Sequence, residues 1–476
     1  MRNGSGGNEV NMKEESNNAW LKYDRKTLAA VMDFAEEYRK FISACKTERE
    51  CVDAVIAKAK ALGYKDIASV KKVKAGDKLY AAHMGKTLAL FVIGSEPLET
   101  GMKILGAHID SPRMDLKQVP VYEDNEIVLL DTHYYGGIKK YQWVTIPLAI
   151  HGVICKKDGT VVKVSVGDEP GDPVFGVSDL LIHLGADQLQ KKGNVVIEGE
   201  DLNVTFASMP LKGEKKDAVL ANVKKLLAKK YKVDLDDFLS AELEVVPAGE
   251  ARDMGIDSSL LMGYGHDDRC CAYPSAEAIF RITEENTNAP VWKGRTLVCL
   301  LVDKEEIGSV GATGMHSKFF ENTVAELLDR MGEYSELKVR RAMQNSVMLS
   351  SDVSAAFDPN YPSVNEKKNT AFFGKGLVFN KYTGSRGKSG SNDANPEFFA
   401  KIRKVFDDAN VSFQTAELGK VDQGGGGTIA YIMGNYGMNV IDCGVAVQNM
   451  HAPWEVISKA DLYEALQGYL AFYREM

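Results

Sequence analysis

From about residue 248 to the C-terminus, short runs of β-forming residues alternate with amphipathic stretches at helical spacing. That alternation constrains the fold more than any other feature of the chain. Residues 295–302 and 346–349 read as strands, 319–334 and 396–410 as helices, 427–433 as another helix and 438–447 as a strand. Ser458 with Asp461 predicts a capped final helix reaching the C-terminus. Strand–helix alternation of this kind gives a mostly parallel sheet covered on both faces.

The N-terminal part supplies more of the same layer. Thr47 followed by Glu50 is a capping box, and Cys51, Val55, Ala59 and Leu62 repeat at helical spacing until Gly63 stops the run. Residues 79–82 and 87–93 around Met84-Gly85-Lys86 predict a hairpin, and 103–107 a buried strand. Between residues 119 and 247 the texture differs: a β-rich run at 143–166 precedes a lysine-rich, helical stretch around 212–232. The expected organisation is therefore an α/β domain made of residues 20–118 and 248–476, interrupted by an inserted β-rich domain at 119–247.

Composition narrows the function. Hydrophobic residues make up 45% of the 476 and charged ones 26%, as in a globular protein with a sizeable core. The net charge of −8, with both signs interspersed, leaves no basic face for nucleic acid. Seven cysteines, an odd number without a Cys-x-x-Cys pair, argue against a disulfide scaffold or thiolate zinc site and for reduced thiols. Residues 1–20 are polar, without the apolar core of a secretory signal, and are expected to form a frayed arm or short strap. The best apolar run, 144–155, is broken by Pro147 and His151, so no membrane span is expected and the cytoplasm is the predicted location.

Five short polar segments are not explained by core packing: residues 106–112, 265–269, 303–308, 350–354 and 449–452. Four of them directly follow a predicted strand, where open α/β sheets bind ligands. They bring His108, Asp267, Glu306, Asp352 and His451, a set of imidazoles and carboxylates suited to zinc, cobalt or manganese in a hydrolytic site. Two metals need a bridging carboxylate, for which Asp267 is placed, with Asp268 as the neighbouring alternative. Asp110, two residues after His108, is placed to accept the other imidazole proton and orient the ring. In the pair Glu305-Glu306 one carboxylate can bind metal while the other transfers protons; Glu306 is assigned to metal and Glu305 to the base. Singly, each segment is weak: a lone His at a strand end is usually structural, as His266 and His316 are taken to be, and a lone Glu-Glu pair is usually solvated surface.

Together the segments resemble the M18 metallopeptidases, the family of aspartyl aminopeptidase and vacuolar aminopeptidase I, from about Trp20 to the C-terminus. The matching motifs are His108 to Pro112, Asp267 within Gly265 to Arg269, Glu305 to Ser309, Ser351 to Ser354 with Asn360-Tyr361, and Met450-His451. Tyr135-Gly136-Gly137 looks like part of the family's inserted domain. The resemblance implies an αβα sandwich catalytic domain, an inserted domain that mediates dimerisation, and dimers assembling into a dodecamer. It also implies two Zn2+ per subunit (with Co2+ or Mn2+ as substitutes) and removal of N-terminal residues from peptides. In the expected mechanism a metal-bridging hydroxide attacks the scissile carbonyl and Glu305 relays the proton to the leaving amine. Within the basic stretch 375–388, Lys381 is the candidate for binding an acidic substrate side chain, although a solvated basic loop fits equally well. Asp179 or His183 falls where aspartyl aminopeptidases bring in a histidine from the neighbouring subunit. With Asp179 in that place, neutral substrates such as Leu compete with Asp and Glu.

Gly387-Lys388-Ser389 is not a phosphate loop, because Tyr382 stands where the pattern needs glycine. The glycines at 424–427 are expected to allow close backbone approach around the site before a helix begins. The rival readings are a related di-metal exopeptidase or deacylase and, much weaker against a complete ligand set, a non-catalytic shell-forming scaffold.

Overall fold

The computed structural model describes residues 17–285 and 291–476. Most of the expected arm, residues 1–16, lies outside them. Its last residues form a docked strap: Asn18 caps the turn Ala19–Lys22, and the Ala19 N–H donates to the Gly374 carbonyl at 2.6 Å.

A nine-stranded sheet forms the central layer. Its middle is parallel, in the order Leu297–Val302, Lys103–His108, Val347–Ser350, Asn439–Gly444. The flanks depart from the expected parallel pattern. The hairpin Lys78–His83 and Thr87–Val92 joins antiparallel through its tight turn, and Leu377–Asn380 runs antiparallel to Asn439–Gly444. Side chains alternate across this sheet. Leu105, Ala107, Cys299, Leu301, Leu349 and Ile441 pack towards the helices Arg25–Ala44, His266–Glu285, Pro396–Asp408 and Lys459–Glu475. Ile104, Val298, Leu300, Met348 and Val440 pack towards Phe319–Arg330, Glu336–Gln344 and Ala430–Gly434. The result is an αβα sandwich within an α/β fold.

Strands between Arg113 and Pro247 make a separate seven-stranded sheet, and Val219, Val223 and Leu227 of the helix Ala218–Lys230 pack into its core. The strand Arg113–Asp124 leads out of the central layer and runs through residues 118 and 119. A third, five-stranded sheet joins Arg252–Met254, Leu260–Gly263, Glu455–Ser458, Ala446–Gln448 and Ser354–Ala355. It matters for the site because it ties together the segments that carry Asp267, Asp352 and His451.

Two local expectations need correction. The final helix Lys459–Glu475 starts after Ser458 as expected, but Ser458 makes no side-chain cap bond, and the buried Asp461 carboxylate instead accepts the backbone N–H groups of Gly374 and Gly376 at 2.9 and 2.7 Å. The helix expected at 427 begins only at Ala430, because Gly425–Gly426 pair as a strand with Gly384–Ser385. The helix His266–Glu285 has no signature in the sequence. It carries Pro274 and is buried all round, so it lacks the one-sided period that marks a surface helix.

No helix among the described residues is long and apolar enough to cross a membrane.

Candidate active site

His108 is the last residue of its strand and is 1% exposed. Its Nδ1–H donates to the Asp110 carbonyl oxygen at 3.0 Å, with the Asp110 carboxylate at 3.3 Å, which fixes the ring so that Nε2 points away from Asp110. Nε2 faces Asp267 Oδ1 at 3.1 Å. Asp267 Oδ2 in turn lies 3.2 Å from Nε2 of His451, and Glu306 Oε2 is 3.5 Å from the same nitrogen. His108, Asp267 and Asp352 thus form one convergent triad, Asp267, Glu306 and His451 a second, and His108, Glu305 and Glu306 a third, the donor atoms of each lying within 4.8 Å of one another. Asp267 belongs to the first two and is the residue that joins the two histidines. Asp268 faces away from this junction: its Oδ2 accepts the His108 backbone N–H at 3.3 Å.

Asp110 organises rather than faces the cleft. Its carboxylate accepts the backbone N–H groups of Glu305 and Glu306, both at 3.2 Å, and the Tyr135 hydroxyl at 2.9 Å. Burial alone would raise its pKa, but His108 and Tyr135 hold it below the usual value. This fixes the turn Glu305–Ile307, which follows the strand Leu297–Val302. Glu305 Oε2 stands 3.9 Å from His108 Nε2. The side chain of Glu305 is 17% exposed and that of Glu306 only 3%, so the two adjacent carboxylates differ in their access to water.

The electrostatics are those of a cation site. Burial, then the negative charge of neighbouring carboxylates, pushes Glu305 up to about 7 and raises Glu306 and Asp352 well above the ordinary range. Among the described residues no Lys or Arg forms an ion pair with Asp267, Glu305, Glu306 or Asp352. Glu306 Oε1 is buried without a hydrogen-bond partner. Crowded carboxylates, two imidazoles and an orphaned oxygen fit a divalent cation.

A cleft of about 490 Å3 opens over this cluster, lined also by Asn380, Thr383, Gly425, Gly426, Gly427 and Tyr431. The glycine-rich strip therefore forms a cleft wall, as its lack of side chains suggested. Lys381 does not line the cleft: its ammonium pairs with Asp393 at 3.3 Å, and Lys388 shares the same carboxylate at 3.2 Å. Asp179 Oδ1 accepts from Leu180 N–H and Gln188 Nε2, both at 2.8 Å, and His183 lies in the exposed turn Ile182–Leu184; neither lines the cleft of its own chain. His266 is structural, buried against the Tyr38 hydroxyl at 2.9 Å and held neutral, its pKa lowered to about 3 by burial. His316 is likewise kept out, bonded to the Tyr431 hydroxyl at 2.9 Å.

Three contributors escape a reading of the sequence. The hydroxyl of Tyr135, the last residue of the strand Ile127–Tyr135, and the Gly137 carbonyl just beyond that strand reach the site, the latter accepting His451 Nδ1–H at 2.9 Å. Glu455 accepts the backbone N–H groups of both Asp267 and His451, and burial and then the Asp267 charge push it up to about 8. Nothing in spacing or composition marks them; only Tyr135-Gly136-Gly137 stood out, and for another reason.

Two histidines and four carboxylates, brought together where the covered α/β sheet meets the five-stranded one, fit the class of metal-dependent hydrolases. Residues 41–473 match the family model described as aminopeptidase I zinc metalloprotease (M18). A Clostridium acetobutylicum protein named as a probable M18 family aminopeptidase 1 is 62% identical over 464 residues, covering 96% of this chain and 98% of that protein. The crystal structure of an M18-family aminopeptidase from Thermotoga maritima superposes with a TM-score of 0.92 at 40% identity, covering 98% of this chain and 100% of that one. The aminopeptidase I crystal structure from Clostridium acetobutylicum gives 0.88 at 59% identity, covering 96% and 99%. The chain belongs to the M18 family of zinc metallopeptidases. It is a metalloaminopeptidase, a hydrolase of peptide bonds.

Proposed function

We propose that the chain removes neutral N-terminal residues from peptides at a two-zinc centre held by His108, Asp267, Glu306, Asp352 and His451, with Glu305 as the base. The observation that carries this reading is Asp267, whose two oxygens face His108 and His451 at 3.1 and 3.2 Å and so belong to two separate donor triads. The same geometry favours Asp267 over Asp268 as the bridge. When bound, the metals would supply Lewis-acid polarisation of the scissile carbonyl and acidification of a water. Glu305 Oε2, the more accessible of the paired carboxylates, takes the proton of the attacking water and returns it to the departing amine nitrogen. Asp110 acts behind it, holding His108 and the Glu305-Glu306 backbone in register.

Substrate choice follows from the wall of the cleft. No Lys or Arg lines it among the described residues, and Lys381 is occupied by Asp393. Asn380 Oδ1 and Thr383 Oγ1 are buried there without partners; they are uncharged oxygens able to accept the N–H groups of the substrate's terminal amine, not cations that would pair with an acidic side chain. A panel of Leu-, Met-, Asp-, Glu- and Lys-anilides beside N-acyl amino acids tests this. Leu and Met should lead; preferred cleavage of Asp or Glu would return Lys381 to the account, and preferred N-acyl cleavage would favour a deacylase.

The native assembly is proposed to be oligomeric, with the 119–247 insertion as the dimerisation domain and dimers assembling to a dodecamer. Leu180, Leu181, Ile182, Leu184 and Leu189 of that insertion are all more than half exposed, an apolar strip of the kind that a second copy covers. The seven free cysteines suit a reducing compartment, and the cytoplasm is the proposed location.

A further inference from the structure

Two of the candidate ligands are held from behind by a single carboxylate. Glu455 is 1% exposed, and its Oε1 accepts the His451 backbone N–H at 2.7 Å while Oε2 accepts that of Asp267 at 3.0 Å. One side chain therefore joins the loop after the strand Ala446–Gln448 to the start of the helix His266–Glu285. Its own position is fixed by sheet pairing, since Glu455 opens the strand Glu455–Ser458 and lies opposite Gly263.

His451 needs such an anchor. Its φ is +65°, a left-handed conformation that residues other than glycine keep only when their surroundings impose it. The Gly137 carbonyl fixes the ring through Nδ1, and Glu455 fixes the backbone. Any drift of either backbone would change the 3.2 Å separation between Asp267 Oδ2 and His451 Nε2 directly.

We propose that Glu455 is a positioning residue of the metal centre: by accepting two backbone N–H groups at once, it sets the spacing of Asp267 and His451 and so the affinity of the site they share. The proposal rests on the metal-centre reading above. Both Glu455 oxygens accept a backbone N–H, so the geometry is that of the ionised carboxylate, held against the upward pull of burial. Hydrogen bonds to a carboxylate are stronger than neutral ones, and outer contacts of this kind commonly change metal affinity about 10–100-fold.

Glu455→Gln tests it in the full-length protein. The amide keeps the shape but offers one acceptor oxygen and one NH2 group, so one of the two backbone N–H groups must face a donor. Zinc affinity is read by chelator competition, alongside kcat and KM. The expected result is zinc binding weakened at least about tenfold, with kcat reduced at saturating zinc and KM nearly unchanged. Glu455→Asp, which retains two acceptors on a shorter stem, should lose less; if the Gln variant does not fold, a measurable loss of affinity in the Asp variant carries the same test. Wild-type zinc affinity in whichever variant folds overturns the role of Glu455. A wild-type protein that binds no zinc would instead overturn the metal-centre reading itself, so the two failures are distinguishable.

Discussion

At the scale of single residues, the division of labour proposed for Glu305 and Glu306 is open to a direct test. Glu305→Gln should keep its zinc and lose roughly 10²–10⁴ in kcat, because it removes a proton carrier and no proposed ligand. Metal content and turnover of the variant check this, and near-normal turnover would transfer the role of base elsewhere. His151 offers an independent prediction about stability. Its ring bridges Glu50 and Asp168, both at 2.8 Å, and those carboxylates hold it charged against the cost of burial, up to about 9. Because the folded value lies above the unfolded one, this contribution is complete below about pH 6.5 and is lost as pH rises through about 9. The loss amounts to ~3 kcal/mol at most. Denaturant unfolding between pH 6 and 10 should show it in wild type, and His151→Gln should flatten that dependence.

At the scale of elements, backbone approach decides what can change. A Cβ on Gly444 would lie 1.9 Å from the Asp352 carbonyl oxygen, so Gly444→Ala must push apart the strand Asn439–Gly444 and the segment carrying Asp352. The expected cost is about 1–3 kcal/mol in unfolding free energy together with weakened zinc binding; wild-type zinc affinity in this variant would mean that Asp352 is not a ligand. This scale also separates what the sequence reveals from what it hides. The hairpin, the strand Lys103–His108 and the capped helix Glu48–Ala61 are visible because each carries a local signal: alternation, an apolar run, or Thr47 with Glu50. The helix His266–Glu285 carries no such signal because it is buried on every side. Asp461 resembles a cap residue, but its bonds to Gly374 and Gly376 depend on a distant loop. The polar segments themselves were legible because their residue types are out of place beside a core. Glu455 and Tyr135 act through tertiary hydrogen bonds that leave no periodic trace.

For the whole molecule, the centre lies between two sheets that the chain builds from different parts of its length. The nine-stranded sheet delivers His108 and the Glu305-Glu306 turn, while the five-stranded sheet ties in the segments of Asp267 and His451, and Asp352 lies where the two meet. The insertion reaches the site only through its edge, yet carries the exposed apolar strip around Leu184. Leu181→Glu with Leu184→Glu should therefore reduce the particle size in light scattering while leaving each chain folded; an unchanged size would remove that strip from the interface. Whether two zinc ions share Asp267 is read from the metal content of the zinc-replete protein after exhaustive dialysis. Two zinc ions per chain are expected, and a reproducible ratio of one or fewer would rule out a shared two-metal centre.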